Sequence, residues 1–429
     1  MKIKINFDII SFFLISSFPI LLISGPFLSD LFCILLSLIF IIYNLKYRKW
    51  LDFIKNNNFY FYFFFIFFIY LNVNSLFSFN PKISFASSFP FIRIVLFIFA
   101  LSFFINNNKK TYKSIYVISA FSFFFLFIDT IAQYFFGLDI FGNAQANPNR
   151  ISSFFRDELI MGSYVSRLLP IILGVSFLFK FEKKYFFNLI ILSIAGVLVA
   201  LSGERLAAFY FIGLFIVYFL LTKKHVLKFG TLIIIFLVAS ISYKPVIIDR
   251  FYKDTIRQIN QTGSIFSYRH TLHYKTAYDM FLDEKILGHG LKSFRYKCSD
   301  QRYEKKIKEK QNLDLNNKNS GYIIEHKNGC NTHPHNIYFE FLSELGILGI
   351  IFLLTMLFYT TYKLIHYSLK NVFKKKINEI EVGRSLILTG IFLQLFPMVP
   401  SGSYFTNWMM IIFHLSVGFY LSTLKLKND

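Results

Sequence analysis

Long apolar segments alternate with short polar segments along nearly the whole chain. Twelve of the apolar segments approach or reach the length of about 20 residues that a helix needs to cross a bilayer. They are Ile9–Ser24, Phe27–Tyr43, Phe59–Ser78, Phe89–Ile105, Ile115–Phe136, Met161–Phe179, Phe186–Ser202, Leu206–Thr222, Phe229–Ile248, Asn336–Thr360, Ser385–Met398 and Asn407–Leu424. The pattern predicts an all-α polytopic membrane protein of about twelve spans, in which residues 1–429 form one integral-membrane domain.

Basic residues are concentrated in every second connector and beside both termini. Lys and Arg cluster in residues 46–55, 109–113, 180–184, 223–224 and 370–376. Cytoplasmic connectors carry such an excess, so all of these connectors and both termini are predicted to be cytoplasmic. The second apolar segment follows the first at once, which indicates an anchor rather than a cleaved signal peptide.

The opposite, outer face then carries residues 137–160, a short turn at 203–205, a long loop at 244–334 and a turn at 400–406. Because a connector of roughly 90 residues is unusually long, the loop before the tenth span is predicted to form a small folded lobe. Cys298 and Cys330 both lie in this loop, in an oxidising compartment. They are a candidate disulfide, with two free thiols as the alternative.

Composition narrows the class of protein further. The chain is 55% hydrophobic and only 16% charged, whereas a soluble domain is about a quarter charged. These values exclude a disordered protein, a secreted disulfide scaffold and an ordinary cytosolic enzyme. The net charge of +22 does not indicate nucleic-acid binding, because many of the basic residues lie in the connectors where membrane topology expects them.

The first group of candidate functional residues surrounds the start of the tenth span. Asn336, Glu340 and Glu344 recur every four residues and share one helix face, which must point into the bundle or a polar cavity because buried carboxylates are costly beside lipid. His335 precedes this face at the outer surface, where a neutral imidazole can accept a proton from an attacking hydroxyl. The alternative is that His335 caps the helix and the glutamates bond to neighbouring helices.

Arginines supply the remaining candidates. Arg205 lies in a very short outer turn, where a guanidinium suits bidentate phosphate binding, although it could instead pair with Glu204 as an interfacial anchor. Arg269 opens a stretch of mixed aromatic and polar residues in the long loop that could lie along the membrane surface. Further candidate substrate-binding residues are Arg150, Arg156 and Arg167. Arg167 falls inside the sixth span and needs a partner there, for which Asp129 of the fifth span is one possibility.

Several chemistries are absent from the sequence. It contains no P-loop, no dinucleotide-binding glycine motif, no HExxH zinc motif and no GxSxG nucleophile motif. His333 and His335 have the spacing of a metal pair but no evident third ligand, so His333 is kept as a substrate-binding candidate. We therefore predict no metal and no cofactor.

The motifs resemble those of a known family. The dipeptide His335-Asn336, followed after nine residues by Gly346-x-x-Gly349, is similar to the signature of the O-antigen ligase and polymerase superfamily of bacterial envelopes. The turn 202–207, Arg269 and the stretch 286–294 add to the resemblance, which runs over roughly residues 150–400. Gly346 and Gly349 are interpreted as sites of close helix packing. Two departures are Glu204 immediately before Arg205, and His270, His273 and Tyr274 where the family often has a Trp.

The resemblance implies a metal-independent, inverting glycosyltransferase of the inner membrane with a periplasmic active site. The donor would be a glycan on polyprenyl (undecaprenyl) diphosphate. The acceptor would be lipid A–core for a ligase of lipopolysaccharide biosynthesis, which we favour, or another lipid-linked repeat for a polymerase. In this scheme His335, Arg205 and Arg269 are catalytic. A transporter of a small anion is the rival from another class; it predicts internal repeats, which the sequence does not show.

Overall fold

The computed structural model describes residues 6–50, 58–147, 150–222, 266–303, 307–312, 321–326, 329–372, 378–397 and 399–426, with a few isolated positions between these ranges. Over these residues the regular secondary structure is helical apart from one small hairpin and two isolated β-bridges. The helices are α1 (Phe7–Ile23), α2 (Pro26–Tyr47), α3 (Asn58–Leu76), α4 (Pro81–Ser88), α5 (Ile92–Asn107), α6 (Lys110–Phe136), α7 (Met161–Val175), α8 (Lys184–Ser202), α9 (Arg205–Thr222), α10 (Tyr268–Asp283), α11 (Phe294–Lys297), α12 (Ile337–Val372), α13 (Glu379–Gln394) and α14 (Asn407–Thr423).

Short 3-10 turns occupy Phe89–Phe91, Ser153–Phe155 and Gln301–Tyr303. The hairpin consists of β1 (Ile307–Asn312) and β2 (Gly321–His326), which pair antiparallel with Ile307 opposite His326.

The helices confirm the predicted fold class, an all-α polytopic membrane protein. Within the described ranges, seven helices are long and apolar enough to cross a membrane, and α1 and α7 are shorter apolar helices. Eleven of the twelve predicted spans overlap a helix of the bundle. The ninth, Phe229–Ile248, lies outside the described residues, so the count of twelve stays a prediction.

Hydrogen bonds gather the predicted outer segments at one end of the bundle, which we call the loop end. The Arg150 side chain donates to the Ser202 carbonyl at 3.1 Å, and the Ser401 N–H donates to the His335 carbonyl at 2.8 Å. At the opposite end, Lys184 pairs with Glu379 at 2.5 Å. The helix ends predicted to lie on one side of the membrane therefore lie together at one end of the bundle. Which end faces outward stays a prediction.

A break in α12 receives part of the long loop. Gly346 has a φ of +62° and a ψ of −161°, which interrupts the helix. The freed groups find partners in the loop: the Ile347 N–H donates to the Lys285 carbonyl at 2.8 Å, and the Gly290 N–H donates to the Glu344 carbonyl at 2.8 Å. Backbone groups inside a bundle must be satisfied internally, so the loop strand and the kink depend on each other. Our interpretation of Gly346 as a helix-packing site is wrong in one respect, because its neighbour is this loop rather than a helix.

The long loop has a small core of its own beside α12. Ala277, Met280, Phe294, Cys298 and Tyr303 are buried together, with Cys330 and Phe339 packed against them. A disulfide joins Cys298 to Cys330, whose Cα atoms are 5.2 Å apart. The bridge ties the start of the segment that leads to His335 back to α11. This arrangement fixes both sides of the region that precedes α12.

Gly346→Ala tests the fit between the kink and the loop. A Cβ at this position would lie 2.3 Å from the Ile286 carbonyl oxygen, in a backbone conformation that L residues rarely adopt. We expect a loss of stability of about 1–3 kcal/mol, seen as a lower thermal unfolding midpoint of the purified protein. Gly402→Ala is the matched control, because its nearest neighbour is the Met409 side chain at 3.5 Å. Equal midpoints for the two variants would contradict this account.

Candidate functional site

Asn336 caps the helix that carries the site. Its side-chain oxygen accepts hydrogen bonds from the N–H groups of Tyr338 at 2.8 Å and Phe339 at 3.3 Å. Its amide nitrogen donates to the carbonyls of Pro397 at 2.9 Å and Val399 at 3.2 Å. The residue is 3% exposed. Because both halves of the amide are engaged, Asn336 starts α12 and ties it to the segment after α13.

Glu340, one helical turn after Asn336 in α12, binds the turn at 400–406. Its carboxylate accepts a hydrogen bond from the Ser403 hydroxyl and another from the Tyr404 N–H, the latter at 2.8 Å. The side chain is 1% exposed. A buried carboxylate needs such donors, and here they come from the backbone and side chain of a neighbouring loop.

Glu344 holds the long loop in the same way. It accepts from the N–H groups of Lys292 at 2.8 Å and Phe294 at 3.2 Å, and it is also 1% exposed. The Lys292 ammonium lies 3.1 Å from the Ser403 hydroxyl that donates to Glu340. Thus the predicted polar face of α12 does point into the protein, and one lysine charge lies between two carboxylates.

His335 has a strained backbone that two loops hold in place. Its φ is +57°, in the left-handed region that non-glycine residues seldom occupy. The carbonyl accepts from the Ser401 N–H at 2.8 Å and from the Tyr274 hydroxyl at 3.4 Å. Such outliers persist only where surrounding contacts determine the conformation, and they are concentrated at functional sites.

Three further imidazoles surround the His335 ring. Its centroid lies 4.1 Å from that of His333, 5.2 Å from that of His270 and 5.4 Å from that of His273. The Asn331 amide nitrogen is 2.9 Å from Nε2 of His335. His270 and His273 stood out in the sequence only as departures from a family pattern, and Asn331 did not stand out at all. Folding of the long loop brings His270 and His273 to the site, which no short-range spacing reveals, whereas Asn331 lies only four residues before His335.

The environment keeps three of these imidazoles, those of His270, His333 and His335, neutral by lowering their pKa values. Burial, followed by the charges of His333, His270 and His273, lowers the pKa of His335 from 6.5 to about 3. Burial and the Lys292 charge lower the pKa of His333 to about 4. Burial, His273 and Arg205 likewise lower the pKa of His270 to about 4. At neutral pH the ring of His335 is therefore unprotonated, and its lone pair can accept a proton.

The two arginines predicted to be catalytic belong to the same region. Arg205 is the first residue of α9 and is half-buried. Its charge reaches His270, since it contributes to the lowered pKa of that imidazole. Arg269, exposed in the first turn of α10, is the residue before His270. The structure thus places the charge of Arg205 near the histidine cluster, whereas Arg269 is linked to the cluster only as the chain neighbour of His270.

Glu204 has a structural role beside Arg205. Its carboxylate accepts from the Gly162 N–H at 2.8 Å and the Ser163 hydroxyl at 2.6 Å, at the start of α7. Arg150 lies 3.9 Å from the same carboxylate. Burial raises the pKa of Glu204, and the Ser163 hydrogen bond and the arginine charges oppose that shift. Glu204 therefore stabilises the first turn of α7, where the helix dipole favours negative charge.

The remaining predicted arginines are dispersed. Arg150 donates to the carbonyls of Ser202 and Leu159, bracing the loop before α7. Arg156 is exposed in that loop. Arg150 lies beside Glu204, whereas Arg156 makes none of the contacts given above for the histidine cluster. Their predicted substrate-binding roles stay predictions.

The possible pair between Asp129 and Arg167 is wrong. Asp129 accepts instead from the Ile140 N–H at 2.7 Å and from the Ser153 hydroxyl, because the loop after α6 folds back over the end of that helix. Arg167 lies over the ring of Tyr210, with its guanidinium carbon 5.1 Å from the centroid. Asp129 and Arg167 therefore each contact other residues instead of each other.

Among the residues that the structure describes, no group of three or more His, Cys, Asp or Glu side chains is arranged to hold a metal ion. The histidine cluster does not form one, and the His335 and His273 rings have other contacts: Asn331 lies beside His335, and the Gly329 carbonyl is 2.6 Å from Nδ1 of His273. A metal-free mechanism stays a prediction.

The fold and these contacts define a polytopic helical membrane protein with a histidine- and arginine-rich site at one end of its bundle. The O-antigen ligase family model matches residues 189–354. That segment is less than half of the chain, yet it contains Arg205, Arg269, His335 and the kink at Gly346. Over this segment the chain is similar to the O-antigen ligase family, which supports its assignment to the O-antigen ligase and polymerase superfamily. No curated protein matches the chain.

The lowered pKa values predict an acid-sensitive fold. The folded-state pKa values of His270, His333 and His335, about 3 to 4, lie below the usual 6.5. Between those values the unfolded chain binds more protons, so the stability they contribute is present above 6.5 and is lost as the pH falls. We expect the unfolding midpoint of the wild type to fall more steeply from about pH 7 to about pH 4.5 than that of a variant with all three changed to Gln. Parallel pH profiles would contradict this origin of acid sensitivity.

Proposed function

We propose that the protein transfers a glycan from a polyprenyl-diphosphate carrier to an acceptor sugar, as an inverting and metal-independent glycosyltransferase. The observation that supports the proposal is a neutral imidazole, His335, in a histidine cluster that the charge of Arg205 reaches, with Arg269 as the chain neighbour of His270 in that cluster. All three residues lie in the segment that matches the O-antigen ligase family model. The protein has an acceptor for a proton and two cations for an anionic leaving group, which are the groups that such a transfer requires.

The reaction has one bond forming and one breaking at the anomeric carbon. The acceptor hydroxyl oxygen attacks this carbon, and the bond from the carbon to the carrier diphosphate breaks on the opposite face. The hydroxyl proton passes to His335, and the bonding electrons leave with the polyprenyl diphosphate. Attack from the opposite face inverts the anomeric configuration.

The arginines act on the leaving group. Negative charge grows on the bridging oxygen of the diphosphate as the sugar departs, and fixed guanidiniums stabilise that charge more strongly in a water-poor site than in bulk water. Arg205 is half-buried and Arg269 is exposed. Arg205 therefore supports the transition state chiefly as a fixed charge, and Arg269 captures the incoming donor.

The acceptor hydroxyl is proposed to bind where the side-chain amide of Asn331 now lies. Its amide nitrogen lies 2.9 Å from Nε2 of His335, in the position of a hydrogen-bond donor to the imidazole. Asn331 is exposed, so it can move aside without disturbing a core. The acceptor hydroxyl then replaces the amide as donor and gives its proton to the same nitrogen.

Asn336, Glu340 and Glu344 act mainly as positioning residues in this proposal. Their hydrogen bonds are made to the loops that surround His335. Any sugar hydroxyl that bound them would have to replace one of these bonds. The three residues determine where the histidine cluster and Lys292 lie, and a substrate contact with them is secondary.

A ligase acting on lipid A–core is favoured over a polymerase acting on lipid-linked repeats. The support is the His-Asn motif with its single long outer loop, together with the description of the matching family model as O-antigen ligase. The proposed location is the inner membrane, with the loop end in the periplasm and both termini in the cytoplasm, as the distribution of basic connectors indicates.

Variants of the three central residues test the mechanism. We expect His335→Gln to lower the transfer rate about 10²- to 10⁴-fold, as loss of a general base does, and Arg205→Ala and Arg269→Ala to lower it about 10²- to 10³-fold. The measurement is product formation from a defined lipid-linked donor by reconstituted protein. Arg302→Gln is the control, because Arg302 is an exposed arginine that pairs with Asp300 and Asp283. Full activity of the His335 variant would remove the proposed base.

A deletion strain distinguishes ligase from polymerase. Loss of a ligase leaves long glycans on the polyprenyl carrier, because polymerisation continues while transfer to core stops. Loss of a polymerase leaves single repeats attached to core. We expect the first pattern when lipid-linked and core-linked glycans are separated by size, and the second pattern would reassign the protein to the polymerase branch.

A further inference from the structure

A small cavity with several polar side chains lies inside the bundle, next to the histidine cluster. Arg167 of α7, Tyr210 of α9, Gln394 at the end of α13 and Ser401 line it, together with apolar side chains. It adjoins the catalytic region, because the N–H of Ser401 donates to the carbonyl of His335. The cavity is narrow and has room for a single small occupant.

Four buried polar atoms around this cavity lack a hydrogen-bond partner in the protein. They are Nε of Arg167 and the side-chain oxygens of Tyr210, Gln394 and Ser401. Arg167 and Tyr210 are each 2% exposed, and Gln394 and Ser401 are each 7% exposed. Buried polar atoms are nearly always bonded, so four such atoms on one cavity indicate a site for a small polar occupant.

The charge balance indicates that the occupant is negative. The Arg167 guanidinium makes one long hydrogen bond, to the Ser163 carbonyl at 3.4 Å. Among the described residues, Glu204 is a carboxylate whose charge acts on Arg167, and Arg150 lies 3.9 Å from the same carboxylate. Two guanidiniums therefore act on Glu204, and a buried cation inside an apolar bundle requires a counter-charge.

The lining atoms match a small monovalent anion. Three of the four are donors, namely the Arg167 Nε–H and the hydroxyls of Tyr210 and Ser401. The fourth, Oε1 of Gln394, is an acceptor, which one of the hydroxyls or an accompanying water can satisfy. A diphosphate or a sugar is too large for this space, and a water molecule would bring no negative charge to the guanidinium.

We propose that a chloride ion occupies this cavity, bound by Arg167, Tyr210 and Ser401. The ion joins α7, α9 and the segment that follows α13. Because the Ser401 N–H supports the carbonyl of His335, chloride also stabilises the strained backbone on which the imidazole lies. This structural anion is separate from the substrate of the transfer reaction.

Thermal unfolding of the full-length protein in nanodiscs tests the proposal. Sodium chloride is titrated against sodium gluconate at constant ionic strength, with no donor lipid present. We expect the unfolding midpoint to rise with chloride and then saturate, and bromide to replace chloride. Tyr210→Phe and Ser401→Ala each remove one hydroxyl donor and should raise the half-saturating chloride concentration about tenfold. Arg167→Gln should abolish the dependence.

Arg302→Gln is the matched control and should keep the wild-type chloride response, because Arg302 is exposed and already paired. A midpoint that does not depend on chloride in the wild type would overturn the proposal. A rise that persists in Tyr210→Phe and Ser401→Ala at unchanged half-saturation would also overturn it, and these two variants decide the matter if Arg167→Gln does not fold. Displacement of chloride by pyrophosphate would reassign the cavity to the donor diphosphate. None of these readouts depends on transfer activity, so failure here and failure of the proposed function are distinguishable.

Discussion

The site depends on one constraint. Inside an apolar bundle, the buried side chains of Glu340 and Glu344 and the backbone groups freed at the Gly346 kink all need hydrogen-bond partners. Glu340 and Glu344 are almost fully buried on α12, and each draws its donors from a different loop. Hydrogen bonds to charged groups contribute about 1.5–3 kcal/mol each, and an unsatisfied buried carboxylate costs more than that. The 400–406 turn and the long loop are therefore held against the same helix. Helix α12 therefore determines where the two loops beside His335 lie.

This dependence also explains why the kink at Gly346 belongs to the site although it lies far from the imidazole along the chain. The kink frees the carbonyls and N–H groups that bind residues 285–290. The same loop strand continues to Lys292, whose N–H reaches Glu344 and whose ammonium reaches Ser403. The spacing between the His-Asn dipeptide and the glycines thus corresponds to the length of helix that separates the cap from the kink.

The sequence predicted the fold class and the general site because both follow from local patterns. Apolar run length and alternating basic connectors are sufficient for the helices, and four-residue periodicity placed Asn336, Glu340 and Glu344 on one inward face. It did not predict the partners of these residues. The donors to Glu344 lie about 50 positions upstream, and the imidazoles of His270 and His273 reach His335 only through folding of the long loop. For the same reason, Asp129 and Arg167 were paired wrongly, since either could meet several loops.

The neutral histidine cluster has a consequence for the order of events in the proposed reaction. Burial and neighbouring imidazoles lower the pKa of His335 to about 3, which makes it a weak base in the protein alone. A diphosphate bound at Arg205 and Arg269 would bring negative charge to the same cluster, and a nearby anion raises the pKa of an imidazole. The base would then gain strength when the donor arrives, and its neutral form would still dominate at neutral pH. An acceptor hydroxyl that entered an empty site would meet a weaker base than one that entered after the donor, so the electrostatics favour donor binding first.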